Sequence, residues 1–155
     1  MSVIEAGGID CDIHPSVPNL KALHPYLTDH WRDIVVQRGV HELNSIAYPA
    51  NSPLTARPDW RVEGVRPGSD LGLLRQHALN PFQTSIAIAN CLYGVQLLFS
   101  EDMGAGFARA VNDWMAAEWL DKEPRLRASI VVPAQSPEMA VDEINRVAPD
   151  KRFVQ

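Results

Sequence analysis

The sequence TSIAIAN at residues 84–90 is the stretch that decides the fold. It places four apolar residues in succession between polar ones, which is typical of a strand covered on both faces. Such strands belong mostly to sheets that other elements pack on either side. We therefore predict that residues 84–90 form a buried strand, and we read the rest of the chain outward from it.

The elements on either side of this strand alternate between strand and helix. Residues 8–14 alternate apolar and polar side chains and end before a proline, which predicts a short strand. After residue 90, the apolar spacing predicts a helix over 101–120, a strand over 126–133, a helix over 136–149 and a further strand from Arg152. This order is that of about four parallel strands joined by right-handed crossovers, so we predict an α/β fold.

The segment between the first two strands is a long insertion. Residues 15–83 are dense in Pro, Asn, Gly and Ser. Within them, apolar residues at helical spacing predict two short helices, near residues 26–38 and 69–79.

Length and charge limit the classes of protein to which the chain can belong. It has 155 residues, 46% of them hydrophobic and 21% charged, which indicates one folded domain over residues 1–155. The 14 Lys and Arg residues against 19 Asp and Glu give a net charge of −5. No basic run is present, so we expect no nucleic-acid partner.

Targeting signals and cysteine usage indicate the compartment. The longest apolar stretches fall far short of the ~20 residues that a membrane helix requires, and the first residues lack the pattern of a signal peptide. We therefore expect a cytoplasmic protein without membrane contact. Cys11 and Cys91 are too few for a disulfide framework, and we expect both to be buried thiols.

The clearest chemical pattern is the pair Asp12 and His14 at the end of the first strand. Residues two apart on a strand point to the same side, and Asp10 lies in line with them. Ligands of parallel sheets and barrels gather at the carboxyl ends of the strands. An imidazole and a carboxylate suit Zn²⁺, Mn²⁺ or Fe²⁺, so one interpretation is a metal site. The other is local: Asp12 caps the turn and His14 is hydrogen-bonded before Pro15.

Three segments together resemble a known family. They are GGIDCDIHP at residues 7–15, NDW and EWL within residues 112–120, and PRLRASIVVP at residues 124–133. The chain resembles the amidohydrolase-related proteins, in the branch that contains aminocarboxymuconate semialdehyde decarboxylase and resorcylate decarboxylase. The resemblance implies a (β/α)₈ barrel with a divalent metal, zinc or manganese, at its carboxyl end. It also implies that His14 is a metal ligand and that Asp12 stands where many members have the first ligand of the strand.

A complete barrel of this type typically needs about 250 residues, so the resemblance implies that the chain is the N-terminal part of one. We therefore expect a metal-dependent hydrolase or carboxy-lyase acting on a small molecule with a carbonyl or carboxylate group. One alternative is a truncated, inactive product that serves as an interaction or oligomerising module. Another is an independent small α/β binding domain.

Further residues are candidates for substrate binding. Asn90 follows the buried strand and is expected on the same rim as His14, where it could contact substrate, although the pattern favours hydrogen bonding within a turn or loop. Arg57 and Arg61 flank Trp60 in the insertion, where they suit a carboxylate substrate or are solvated surface charges. The other histidines have no spacing that makes a ligand set: His24, His30, His41 and His77.

Self-association follows from the expectation of a partial barrel. An open sheet of about four strands would leave two unpaired edges and apolar faces in solvent. We therefore expect the purified chain to form homo-oligomers, measured by light scattering. A monodisperse monomer would contradict this expectation.

Overall fold

The computed structural model describes residues 7–40 and 57–155. At its centre is a parallel sheet of three strands in the order β1-β2-β3: Ile9–Ile13, Ile86–Ala89 and Leu126–Ala128. The buried run at residues 84–90 is the middle strand, paired with both neighbours. The α/β class and the parallel pairing predicted from the order of elements are therefore confirmed.

In the described part of the chain, the main difference between prediction and structure concerns the expected fourth strand. There, the position beside β3 holds a single parallel bridge between Ala128 and Phe153. The third strand is also shorter than the predicted 126–133. Ser129 N–H still donates to Ala89 O on β2, and beyond it the main chain has other partners: Ile130 N–H donates to Gln155 O, and Val131 bonds to the side chain of Asn112.

The helices lie close to the predicted positions. Between β1 and β2 are a short 3₁₀ helix, helix α1 and helix α2, which continues as one π-helical turn; after β2 come α3, also extended by a π turn, and α4. Their bounds are Leu20–Leu23, Asp29–Gln37 (α1), Leu71–Leu74 (α2) with Arg75–Leu79, Glu101–Met115 (α3) with Ala116–Leu120, and Pro137–Val147 (α4). Two further 3₁₀ turns are Pro58–Trp60 and Val95–Leu97. Part of the predicted insertion, residues 41–56, and with it His41, lies outside the described residues.

Helix α3 supplies more buried residues than any other helix that the structure describes. Ser100 caps it, since its side chain accepts a hydrogen bond from Met103 N–H, and acidic residues occupy the first turn. Its buried face includes Phe107 and Val111, both with no exposed surface. A Cβ atom at Gly106 would collide with the indole ring of Trp31, so this glycine allows the close approach of Trp31 to α3.

The core is built from alanines on the sheet and large side chains on the helix. Ala87, Ala89 and Ala128 are fully buried on β2 and β3, which leaves room for the rings packed above them. Trp114 and Trp119 are buried and meet edge to face, with ring centroids 6.0 Å apart. Both belong to the apolar face of α3 and of the π turn that extends it.

The two cysteines differ in environment. Cys91 is buried, and burial raises the pKa of its thiol to about 12. Cys11 is exposed, so the expectation that both are buried was wrong for this residue. The reason is that β1 is an edge strand, exposed along all but its last residue. Among the residues that the model describes, no helix has the length and apolar character needed to cross a membrane.

A buried carboxylate ties the segment before β3 to the first residue of the π turn that follows α2. Glu123 is 4% exposed and accepts hydrogen bonds from Arg75 Nε at 2.8 Å and from Arg125 Nε at 2.8 Å. Arg125 also donates to the side chain of Asn80. The hydrogen bonds from Arg125 are the main reason why the pKa of Glu123 falls to about 2 from its usual 4.5, against the opposing effect of burial.

Stability should therefore depend on the ionisation of Glu123. Because its pKa is lower in the folded state, its contribution is present above about pH 4.5 and is lost as the pH falls toward about 2. We expect this one group to account for a loss of about 2 kcal/mol in unfolding free energy between about pH 5 and about pH 3. Urea denaturation across that range measures it. In Glu123→Gln the pH profile should be flatter by this amount, and an unchanged profile would contradict the assignment.

Candidate functional site

Polar side chains collect where the three parallel strands end. Asp12 and His14 lie at the end of β1, Asn90 directly follows β2, and Ser129 directly follows β3. Because parallel strands have their carboxyl ends at one edge of the sheet, these four side chains lie close together. The expected rim of Asp12, His14 and Asn90 is therefore present in the structure.

Hydrogen bonds connect the four side chains in a row. His14 Nε2 lies 2.9 Å from Asp12 Oδ1, and Asn90 Nδ2 donates to the same oxygen at 2.7 Å. On its other side, Asn90 Oδ1 accepts a hydrogen bond from Ser129 Oγ. The row continues to the side-chain amide of Gln155, 2.7 Å from Ser129 Oγ.

The backbone explains why Asp12 and His14 point to this edge. The register between β1 and β2 shifts between Asp10 and Ile13, an irregularity that redirects side chains at the end of a strand. Beyond the shift, Asn90 N–H donates to Ile13 O at 2.7 Å, which fixes the end of β1 against β2. Asp10 is engaged locally, because its carboxylate accepts from Asp12 N–H.

The Asp12 carboxylate is held in its charged form. The hydrogen bond from Asn90 is the largest cause of the lowered pKa of Asp12, with smaller contributions from His14. The Asp12 side chain is 68% exposed and that of His14 is 36% exposed. An anionic oxygen and an imidazole nitrogen are thus presented together at a surface that solvent and small molecules reach.

These side chains form the polar end of a cleft of about 420 Å³. The rest of its lining is largely apolar and comes from the segments that follow β2 and β3. Its apolar members include Leu92, Tyr93, Ile130, Val131 and Val132. A cleft with one polar end and one apolar wall suits a small molecule with a polar reactive group and an apolar body.

The donor atoms fit two positions in the ligand sphere of a divalent metal ion. His14 Nε2 and Asp12 Oδ1 are close enough to contact one ion, and a neutral imidazole with a carboxylate is a donor pair that zinc and manganese accept. A carboxylate has further lone pairs, so Asp12 is able to keep its bond to Asn90. Within residues 7–40 and 57–155, no group of three His, Cys, Asp or Glu side chains is placed to hold a metal.

The two arginines expected to bind substrate lie elsewhere, since neither lines the cleft. Arg57 donates to Asp59 at 2.7 Å and lies over the ring of Trp60, 4.8 Å from its centroid. Trp60 in turn stacks on His77. Arg61 is exposed just after this turn. The structure therefore does not place Arg57 or Arg61 at the cleft of Asp12 and His14. Substrate binding by these two arginines stays a prediction.

Sequence reasoning missed Ser129 because it fell in the middle of the predicted strand 126–133. A signal was present: Ser129 is the one polar residue between Ala128 and the apolar run Ile130–Val132. A polar residue that interrupts an apolar run often marks the end of a strand. Since β3 does end at Ala128, Ser129 reaches the same edge as Asn90.

Replacement of Asn90 should change the titration of Asp12. In Asn90→Ala the carboxylate loses its strongest hydrogen-bond donor, so the pKa of Asp12 should rise toward its usual value. The side-chain carboxyl ¹³C shift of Asp12, followed by NMR against pH, measures this. Asn145→Ala, at an exposed position of α4, is the matched control and should leave the titration unchanged. The same Asp12 pKa in wild type and Asn90→Ala would show that the bond does not control the carboxylate.

Comparisons with known proteins agree with the geometry. A model of the amidohydrolase family matches residues 9–155, a span that contains all three strands and every residue of the polar row. A search of curated proteins found no match to the chain. A matched span of this extent, with Asp12 and His14 at the carboxyl end of a parallel strand, places the chain in the amidohydrolase family.

Proposed function

We propose that the chain belongs to a metal-dependent hydrolase or carboxy-lyase that acts on a small molecule with a carbonyl or carboxylate group. Membership of the amidohydrolase family indicates hydrolase-type or lyase-type chemistry. The metal, the reaction and the substrate are our proposal. We place the reaction in the cleft at the carboxyl edge of the sheet.

The observation that carries the proposal is the meeting of Asp12, His14 and Asn90. Two of the three are metal-ligand types, their donor atoms are 2.9 Å apart, and they lie at the polar end of a cleft. The sheet edge on which they lie is where parallel α/β proteins bind ligands. A merely structural role for this pair would not require the carboxylate and imidazole to face an accessible cleft.

In this proposal Asp12 and His14 are metal ligands, and Asn90 supports them. His14 and Asp12 hold a divalent ion, zinc or manganese, which when bound polarises a carbonyl group or lowers the pKa of a water molecule. Asn90 keeps Asp12 ionised and oriented through its hydrogen bond. Further ligands are water, substrate or side chains other than those that the model describes.

The apolar wall of the cleft supports the substrate class. Its side chains offer contact area to the body of a small molecule and reduce the water around the reacting group. Both hydrolysis of an amide, ester or lactone and loss of carbon dioxide suit this arrangement. The resemblance to the aminocarboxymuconate semialdehyde decarboxylase branch favours a carboxylated substrate, and substrate profiling separates the two reactions.

Metal analysis of the purified chain tests the proposal. After equilibration with Zn²⁺ or Mn²⁺ and removal of free ion, wild type should retain metal. In His14→Ala and Asp12→Ala the affinity should fall by at least ~10-fold, since each variant removes a ligand. Inductively coupled plasma mass spectrometry measures the content and calorimetry the affinity.

The control is His30→Ala, because His30 is an exposed histidine on α1, outside the cleft. It should bind metal as wild type does, which excludes adventitious binding by surface imidazoles. Equal metal content in all four proteins would remove Asp12 and His14 as ligands and with them the metal-dependent part of the proposal.

A further inference from the structure

We propose that Asn112, on helix α3, is a positioning residue for the wall of the cleft. The part of the wall that Asn112 holds is residues 129–132, which follow β3 and supply Ser129 and three apolar side chains to the lining. The inference rests on the proposed function to the extent that this cleft is where substrate binds. It assigns a role to the Asn-Asp-Trp segment of α3, which the metal site does not explain.

One side chain satisfies both main-chain groups of Val131. Asn112 Oδ1 accepts from Val131 N–H at 2.9 Å, and Asn112 Nδ2 donates to Val131 O at 2.9 Å. The amide of Asn112 therefore replaces the neighbouring strand that the main chain would otherwise need at this point. Only a side-chain amide offers a donor and an acceptor side by side in this way.

A second contact fixes the orientation of the Asn112 amide. Its remaining N–H donates to Glu143 Oε1 at 2.8 Å, and Asn112 is only 2% exposed. Glu143, on α4, is itself buried and is held by Arg146 through Nε and a terminal nitrogen, each at 2.8 Å. Arg146 also bonds to Asp113, the neighbour of Asn112. An ionised carboxylate only accepts hydrogen bonds. If the Asn112 amide were rotated by 180°, its oxygen would face the Glu143 carboxylate, so the contact with Glu143 fixes the amide in the observed orientation.

The contact between Asn112 and Val131 reaches the candidate ligand Asp12 through two further residues, Ser129 and Asn90. Val131 is two residues from Ser129, whose N–H donates to Ala89 O and whose hydroxyl contacts Asn90. Asn90 in turn bonds to Asp12. Holding Val131 therefore sets where the main chain leaves β3, and thereby where Ser129 meets Asn90.

Burial alone does not account for Asn112. Its neighbours on the buried face of α3, such as Val111 and Met115, are apolar, and a buried amide is unfavourable unless every group is paired. Here both Nδ2 protons and Oδ1 are paired, and two of the three bonds go to one residue of the cleft wall. These bonds hold residues 129–132 in one conformation.

The test compares Asn112→Ala with Val147→Ala by NMR and amide hydrogen exchange on the whole chain. Val147 is a buried apolar residue of α4, the helix that carries Glu143, so its truncation removes apolar contacts of that helix without removing a polar contact. In Asn112→Ala we expect Val131 N–H to exchange at least ~10-fold faster, relative to the amides of β2, and the side-chain amide of Asn90 to shift. In Val147→Ala both signals should stay as in wild type.

Two results would overturn the inference: unchanged Val131 and Asn90 signals in Asn112→Ala, or equal changes in Val147→Ala. If Asn112→Ala does not fold, Asn112→Leu decides the question. That variant has a side chain of similar size without a hydrogen-bonding group. It should show the faster exchange at Val131 and the shifted Asn90 side-chain amide, and unchanged signals would overturn the inference.

Zinc titration separates this inference from the proposed function. Absence of zinc binding by wild type would contradict the proposed metal site, while the exchange data would still report on Asn112. Where wild type binds zinc, Asn112→Ala should bind it about 10-fold more weakly, as expected for a residue that orients ligands indirectly. Equal zinc affinity in wild type and Asn112→Ala would show that Asn112 does not position the metal ligands and serves only the packing of α3.

Discussion

The parallel pairing of β2 with both neighbours is the constraint on which the rest of the structure depends. Because β1, β2 and β3 run in one direction, their carboxyl ends meet at one edge, and residues distant in sequence become neighbours there. Asp12 and Asn90 form a hydrogen bond across 78 positions of sequence for this reason alone. The alanines of β2 and β3 and the buried side chains of α3 belong to one hydrophobic core.

Where the ladder ends, other partners satisfy the main chain. After Ala128, the side chain of Asn112 bonds to Val131 and the main-chain oxygen of Gln155 accepts from Ile130 N–H, and before β3 the main chain is anchored by Glu123 with its two arginines. Each of these buried polar groups has its partners, as a group removed from water requires. The short third strand is thus held at both ends by side chains, and the wall of the cleft is a consequence of how its main chain is satisfied.

The chemistry of the cleft follows from the same arrangement. The exposed carboxylate of Asp12 contacts the imidazole of His14, and apolar side chains of the segments after β2 and β3 line the same cleft. The divalent metal and the reacting group of the substrate that we propose belong at this end of the cleft. Asn90 links the two halves of the edge, because it bonds to Asp12 on one side and to Ser129 on the other.

Much of this was already determined by the sequence. The apolar run at residues 84–90 predicts a buried strand, the spacing in α3 predicts its buried face, and the alternation of elements predicts parallel pairing, because these are local patterns with a fixed period. The pairing of Asp12 with His14 was also readable, since residues two apart on a strand share a side. Only the tertiary structure decided that β3 stops at Ala128, that Ser129 joins the site and that Arg57 turns to Asp59 and not to the cleft. Asp59 is only two residues from Arg57, but the fold decides that this pair lies away from the cleft. The physical reason for the end of β3 and for the place of Ser129 is that each depends on which partner satisfies a polar group, and that partner lies far away in sequence or on another element.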